Sequence, residues 1–414
     1  MSVFGGPAPK LVMDSAVKDV TLKLLAYCQA NDWAGWDPYD ALNSRLFDRI
    51  PFLNSRLPRL ALTQLLKRSP VNLRPLFLIP RTHNPKAIAI FLMALLKLRR
   101  LGLLEDESLV GYMRDKLTAL RSRSQPPHQI NRTDPSDPSK TYWCWGYSFP
   151  WQTRTVLVPR GAPNLVCTVF VANALLDAHE AHDDPDLLSM AVSAADYIVK
   201  ELFWTDDNST FCFSYPVPSS RAKVHNANLL GAALLCRVSR LTGDSRFTDP
   251  AFKVARYSAG RQHGDGSWAY GEHFTQGWVD NFHTGFNLWA LRSLGRYAET
   301  SEFEPHLRSG FEFYRGHFFR EDGAARYFHD RTYPIDIHSV AQTIITLLAL
   351  EDLDEGNVAL AHSVLSWAMS HMWEERGFFF YQVRPQYTIR IPYIRWSQAW
   401  MLLALATFLE HGAH

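Results

Sequence analysis

The sequence predicts an all-α chain closed into an (α/α)6 toroid, with six inner and six outer helices and short β-hairpin loops on one rim. Three observations predict it. Six segments share one pattern, a polar start followed by small and aliphatic side chains, and they begin at His83, Asn164, His225, Asp280, Asp336 and Tyr393. Successive starts lie 81, 61, 55, 56 and 57 residues apart, so the pattern is a repeat and not a composition effect. More amphipathic segments with charged faces alternate with these six. A helix apolar on all sides belongs inside, and one with a charged face belongs outside.

The inner series opens with "HNPKAIAIFLMALLKL" and "NLVCTVFVANALLDA". It continues through "HNANLLGAALLCRVS", "DNFHTGFNLWALRSL" and "DIHSVAQTIITLLAL" to "YIRWSQAWMLLALAT". Outer helices are expected at roughly 104–123, 184–203, 246–261, 302–319 and 356–373, with the sixth from 13–30 or 57–68. Residues 1–82 read as a basic helical extension packed on a toroid of residues 83–414, together one structural domain. A third element recurs after the outer helices: acidic and Gly or Asn turn residues, then aromatics. It occurs at 205–215, 264–270, 321–328 and 374–381, enlarged at 142–163, and reads as hairpins or extended loops. Each leads into an inner helix, so all should gather on one rim.

Hydrophobic residues make up 47% and charged residues 20%, which fits a globular chain with a sizeable core. A net charge of +2 gives no reason to expect a nucleic-acid partner. Eleven Lys or Arg and no Asp or Glu fall between Arg49 and Leu104, so this stretch could face an anionic membrane or form an ordinary basic surface. Five cysteines without a CxxC read as free thiols of a reducing compartment. The first residues carry no apolar signal segment, and the longest apolar run, "AIAIFLMALL", is too short to span a bilayer. A cytoplasmic location, peripheral to the inner membrane, is the expectation.

Aromatics are 13% of the chain, and beyond filling cores such rings stack sugars. Polar residues at the starts of inner helices would line one shared cavity. Asp280, Asn281, His283 and Asn287 mark the fourth inner helix; Asp336 and His338 mark the fifth; His225 and Asn226 mark the third. Asp280 also suits a helix cap. A histidine there offers proton transfer near neutrality. Three matched histidines make zinc conceivable, but no HExxH or compact ligand cluster occurs, so neither metal nor cofactor is expected. The 142–163 loop contributes Trp145, Tyr147, Trp151, Gln152, Arg154 and Arg160, leading to Asn164. Further mouth candidates are Trp268, Tyr270, Glu272, Arg326, Tyr333, Arg390, Arg395 and Trp396. Hydrolysis would use paired carboxylates, Asp280 with Asp336 and Glu272 as a third candidate. Proton abstraction beside a carboxylate would use His283, His338, Tyr147 or Tyr333, and this suits the inventory slightly better. Asp280, His283, Asp336, His338 and Tyr147 are therefore the catalytic candidates, and the others would bind an oligosaccharide or glycan-lipid.

The segments "YWCWGYSFPWQTRTVLVPRGAPNLVCTVFVANALLDA", "DGSWAYGE", "VDNFHTGFNLWAL" and "YIRWSQAWMLLALA" resemble a group of poorly characterised bacterial proteins associated with extracellular or capsular polysaccharide biosynthesis. The resemblance runs from "WDPYDALNS" at 36–44 to the C-terminus. More distantly, the architecture is similar to the toroids of glucuronyl C5-epimerases, N-acylglucosamine 2-epimerases and uronate lyases. It implies an epimerase or lyase type of chemistry, with glycoside hydrolysis next, and assigns no role to a numbered residue. A non-catalytic glycan-binding or assembly factor is the alternative from another class. "QHGDGSW" at 262–268 resembles the signature of terpene cyclases, but it occurs once and no DxDD motif accompanies it.

Overall fold

The computed structural model describes residues 10–46, 55–104, 106–122, 141–153, 156–206 and 209–413. In chain order the helices are α1 (Lys10–Ala30), α2 (Arg56–Arg68), α3 (Pro85–Arg100), α4 (Ser108–Ala119), α5 (Leu165–His182), α6 (Pro185–Tyr197), α7 (His225–Thr242) and α8 (Thr248–Ala259). They continue as α9 (Asn281–Ala298), α10 (Glu304–His317), α11 (Ile337–Ala349), α12 (Asn357–His371) and α13 (Trp400–Gly412), the last entered through a π-helical turn at Ile394–Ala399. Helices α3, α5, α7, α9, α11 and α13 each pack on the next, and α13 returns to α3. That closed ring is the inner layer of an (α/α)6 toroid.

The outer layer follows the charge pattern. Helices α4, α6, α8, α10 and α12 cover α3, α5, α7, α9 and α11. Helix α1 covers α13, so of the two segments expected to supply the sixth outer helix it is the first that does so. Helix α2 instead packs on the short turn Asp40–Asn43 with a small core of Ala41, Leu42, Leu62, Leu66 and Ile79. Inner helices are buried almost along their length because they touch helices on both sides and a third behind. Gly285 shows how close they come: a Cβ there would lie 2.9 Å from Gln342 Cγ of α11.

Connections from inner to outer helices are short turns, four of them closed by left-handed residues at Gly102, Asp183, Gly243 and Glu299. Connections from outer to inner helices carry the aromatic stretches, so one rim holds most of the irregular chain. Phe203–Thr205 pairs with Phe211–Phe213, Trp373–Glu374 with Phe378–Phe379, and Trp151–Gln152 with Leu157–Val158. Ile335–Asp336 pairs with Gln382–Val383, which pairs with Thr388–Ile389. The stretch at 264–270, expected as a hairpin or extended loop, is a loop with no strand pair, reversed at Gly266, where φ is +89°. Gln262 Nε2 donates to His306 O at 2.9 Å, and the buried Trp268 lies against Gly310. "QHGDGSW" therefore straps α8 to α10 in the outer shell.

All five cysteines are free and buried. Among the described residues no helix is long and apolar enough to cross a membrane.

Candidate active site

Four inner helices begin with a side chain that accepts from their own first turn. Asn84 accepts from Lys86 N at 3.0 Å, Asn164 from Cys167 N at 2.8 Å, Asp280 from His283 N at 3.0 Å and Asp336 from His338 N at 2.9 Å. Capping satisfies otherwise orphaned N–H groups. It also fixes the next residues of each helix in a common place on the rim.

Asp280 does more than cap. Its Oδ2 accepts from Trp278 Nε1 at 2.9 Å and meets His283 Nδ1 at 2.7 Å. The carboxylate is buried, while the His283 side chain keeps 21% of its surface exposed. Tyr270 packs on His283 at 4.6 Å between centroids and stacks on Trp278 at 4.6 Å. With Nδ1 held by the carboxylate, Nε2 is the imidazole nitrogen left to meet a substrate. A buried carboxylate that fixes tautomer and orientation is the arrangement a general acid–base requires.

Asp336 is saturated differently. Its Oδ1 accepts from His338 N and from Trp396 Nε1 at 2.9 Å, and its Oδ2 from Gln382 Nε2 at 2.7 Å. Burial pushes its carboxyl up to about 6, even with these three donors. His338 is buried between Phe282 and Trp400, with its ring 4.6 and 4.7 Å from theirs. Among the described residues neither imidazole nitrogen has a hydrogen-bond partner. Burial first, then Lys86, Arg395 and His283, holds its pKa well below the usual value.

Arg395 forms a buried two-pronged ion pair with Asp37, at 2.6 and 2.8 Å, and lies 4.9 Å over the Tyr147 ring. Burial alone would favour its neutral form; Asp37 outweighs that and keeps it charged. The Asp37 main chain joins a second buried pair, Arg74 with Asp40 at 2.7 Å, and Arg74 also donates to Tyr393 Oη at 2.7 Å. Phenols surround this network. Burial pushes Tyr147, Tyr270, Tyr327 and Tyr381 well above the usual value and Tyr215 up to about 12. Burial thus favours the protonated phenol at each of them, Tyr147 included.

Other candidates lie apart. Trp145 is fully buried and donates to Leu117 O of α4 at 2.8 Å, so it packs the shell and not the mouth. Trp268 donates to Ser258 O, also in the shell. Asn281 turns outward to accept from Tyr314 Oη of α10 at 3.1 Å. His225 faces Ser258 of α8 across 3.5 Å, with Glu272, Arg261 and His263 as its charged neighbours, and burial lowers its pKa to about 4. The three histidines therefore do not converge: His283 and His338 flank Phe282, and His225 does not join them. Glu272 accepts from Tyr257 Oη at 2.5 Å. Arg160 donates to Asn43 at 2.6 Å, and Gln152 to Thr153 O at 2.9 Å. Trp151 lies 6.2 Å from Tyr147, and Tyr333 is 37% exposed. Arg390 is exposed over Phe380, and Arg326 donates to His317 O. Asn226 and Asn287 are buried with Oδ1 unpartnered. Arg154 lies outside the described residues. Among the described residues, no group of three or more His, Cys, Asp or Glu is placed to hold a metal ion.

Sequence reasoning missed Asp37, Lys86, Tyr215, Trp278 and Tyr327. A lysine in the first turn of an inner helix, directly before the apolar run "AIAIFLMALL", was the available signal for Lys86.

No family model matches the chain. No curated protein matches it either. Solved structures do. Unsaturated glucuronyl hydrolase from Streptococcus agalactiae is similar over 98% of this chain and 93% of its own, with TM-score 0.60 and 11% identity. Cellobiose 2-epimerase from Spirochaeta thermophila is similar over 80% and 86%, with TM-score 0.56 and 14% identity. A GH76 α-mannanase from Bacteroides thetaiotaomicron is similar over 80% and 86%, with TM-score 0.55 and 10% identity. At these identities the likeness establishes the toroid fold.

Proposed function

We propose that this chain is a carbohydrate-active enzyme of bacterial surface-polysaccharide metabolism, performing acid–base chemistry on an acidic sugar. The observation that carries the reading is the Asp280–His283 pair, a buried carboxylate orienting a partly exposed imidazole beside stacked Tyr270 and Trp278. The solved toroids it resembles, a glucuronyl hydrolase, an epimerase and a mannanase, are all enzymes of sugars. Fold alone does not fix function; the Asp280–His283 pair is what distinguishes this site.

The reaction class follows from which groups are free. Hydrolysis would need two carboxylates addressing one bond. Both Asp280 and Asp336 already accept on each oxygen from the chain itself. The imidazole is the better proton carrier. His283 would take the proton from the carbon next to the sugar carboxylate, and the electron pair of that C–H bond would pass into the carboxylate. Return of a proton to the opposite face completes an epimerisation. Expulsion of the neighbouring oxygen substituent with the pair completes an elimination. Turnover of an acidic oligosaccharide that His283→Gln abolishes would support the reading; a glycan-binding factor would hold the sugar unchanged in both proteins.

The cytoplasmic face of an anionic membrane is the proposed location. Leu57, Leu65, Val71 and Leu76 are 77%, 52%, 63% and 71% exposed on the segment that also carries Arg56 and Arg68. Exposed apolar side chains beside cations suit an anionic lipid surface. Co-sedimentation with phosphatidylserine-containing vesicles is expected, weakening with salt and with Leu57→Ser/Leu65→Ser. Equal binding to purely zwitterionic vesicles would contradict it.

A further inference from the structure

Lys86 is the second residue of α3, 3% exposed, among aromatic rings. Its Nζ lies 4.1 Å from the Phe170 centroid, 5.3 Å from Trp400 and 5.4 Å from Phe286. Among the described residues its amine makes no hydrogen bond and no ion pair; ring faces are its neighbours. His338 packs on two of the same rings, 4.7 Å from Trp400 and 6.0 Å from Phe286, and both its nitrogens are unpartnered. Arg395 borders the same space, 5.3 Å from Trp396, whose ring is 4.6 Å from His338. Three nitrogen-bearing side chains from α3, α11 and the turn before α13 thus meet over one aromatic floor.

Their charges do not balance. Arg395 is matched by Asp37, and Asp280 serves His283. Among the described residues no carboxylate lies within ion-pair distance of Lys86, whose neighbours are ring faces. A buried amine without an acceptor is costly, because its protonated form loses water and gains no partner. Natural interiors rarely keep such a group unless something else completes it.

We propose that Lys86 and His338, bordered by Arg395, form an anion subsite that receives the carboxylate of a uronic acid residue. The subsite lies across Phe282 from His283, whose ring centroid is 4.0 Å from that of Phe282 while His338 stacks on the same ring at 4.6 Å. A carboxylate held there would anchor the sugar beside the ring that His283 also touches. The lysine would also stabilise the negative charge that builds on the carboxylate as the C–H bond breaks. Desolvation supports this, since burial holds the amine well below its usual pKa until an anion arrives; Arg395, Cys167, Asp37 and His338 are the titratable groups around it. The inference rests on the acidic-sugar reading above.

The test compares glucuronate oligosaccharides with their carboxyl-reduced glucose counterparts, by calorimetry, on wild type and on Lys86→Met and Lys86→Gln. Wild type is expected to bind the uronate more tightly, and Lys86→Met to lose roughly 10- to 100-fold of that affinity. Binding of the reduced sugar should change little. Methionine matches the lysine stem in an apolar site, so the variant should fold; should it not, Lys86→Gln and the wild-type preference carry the test. Equal affinity of wild type for both sugars, or undiminished uronate binding by the variants, overturns the anion subsite and leaves a glycan enzyme. Failure of wild type to bind either sugar overturns both readings.

Discussion

Replacing His283 by glutamine is expected to lower kcat on an acidic oligosaccharide by about 10²- to 10⁴-fold, the usual contribution of a positioned general acid–base. The fold should survive, because His283 makes its ring contacts at the partly exposed edge and its main-chain N–H still reaches Asp280. KM should move little, since the imidazole acts on the reacting proton and not on the sugar body. Asp280→Asn separates two roles of one side chain. Asparagine can still cap α9 through its one oxygen, but its amide N–H then faces Trp278 Nε1 in a buried site, so a stability loss of about 1–3 kcal/mol is expected. It no longer accepts from His283 Nδ1 with a charge, so turnover should fall nearly as far as in the histidine variant. Asp280→Ala should add a stability loss of about 0.5–2 kcal/mol for the missing cap. A lowered melting temperature with unchanged turnover in all three would mean that the pair is only a cap.

The second large effect concerns Arg395 and Asp37. Arg395→Met leaves Asp37 buried without its partner, and breaking such a pair costs about 3–5 kcal/mol. The loss should appear in chemical denaturation as a lower midpoint. Asp37→Leu with Arg395→Met should recover much of it, because two apolar side chains replace two uncompensated charges. The coupling between the single changes should then be large. Additive losses would show that the pair does not act as a unit. The pair also joins residues 358 positions apart, which ties the loop after α1 to the last inner helix and helps close the ring.

These effects bear on what the sequence carried. The inner helices were legible because Asn164, Asp280 and Asp336 are caps, and capping residues announce helix starts locally. The alternation of apolar and charged segments made the toroid legible for the same reason: burial is written into periodicity. The facing of individual side chains was not. His225, His283 and His338 occupy matching places in the repeat, yet His225 turns toward α8, because each helix carries its own rotation about its axis. Asn281 faces α10 by the same effect, while Trp145 enters the shell from an irregular connection whose path no periodicity records. Asp37 and Lys86 were missed because their meaning is created by partners from remote segments. A lysine beginning "KAIAIFLMALL" looks like the edge of an apolar run until α5, α9 and α13 bring their rings around it.

The central claim is that a proton leaves carbon at His283. Its most direct measurement is deuterium exchange: incubate the enzyme with a uronate-containing oligosaccharide in D₂O and read the label by mass spectrometry and NMR. The account predicts deuterium at the carbon adjacent to the carboxylate, or loss of that hydrogen into an unsaturated product, with wild type and not with His283→Gln. Shortened sugars that carry no label at that carbon would contradict it, and would identify a hydrolase built from carboxylates other than the two already bound within the chain.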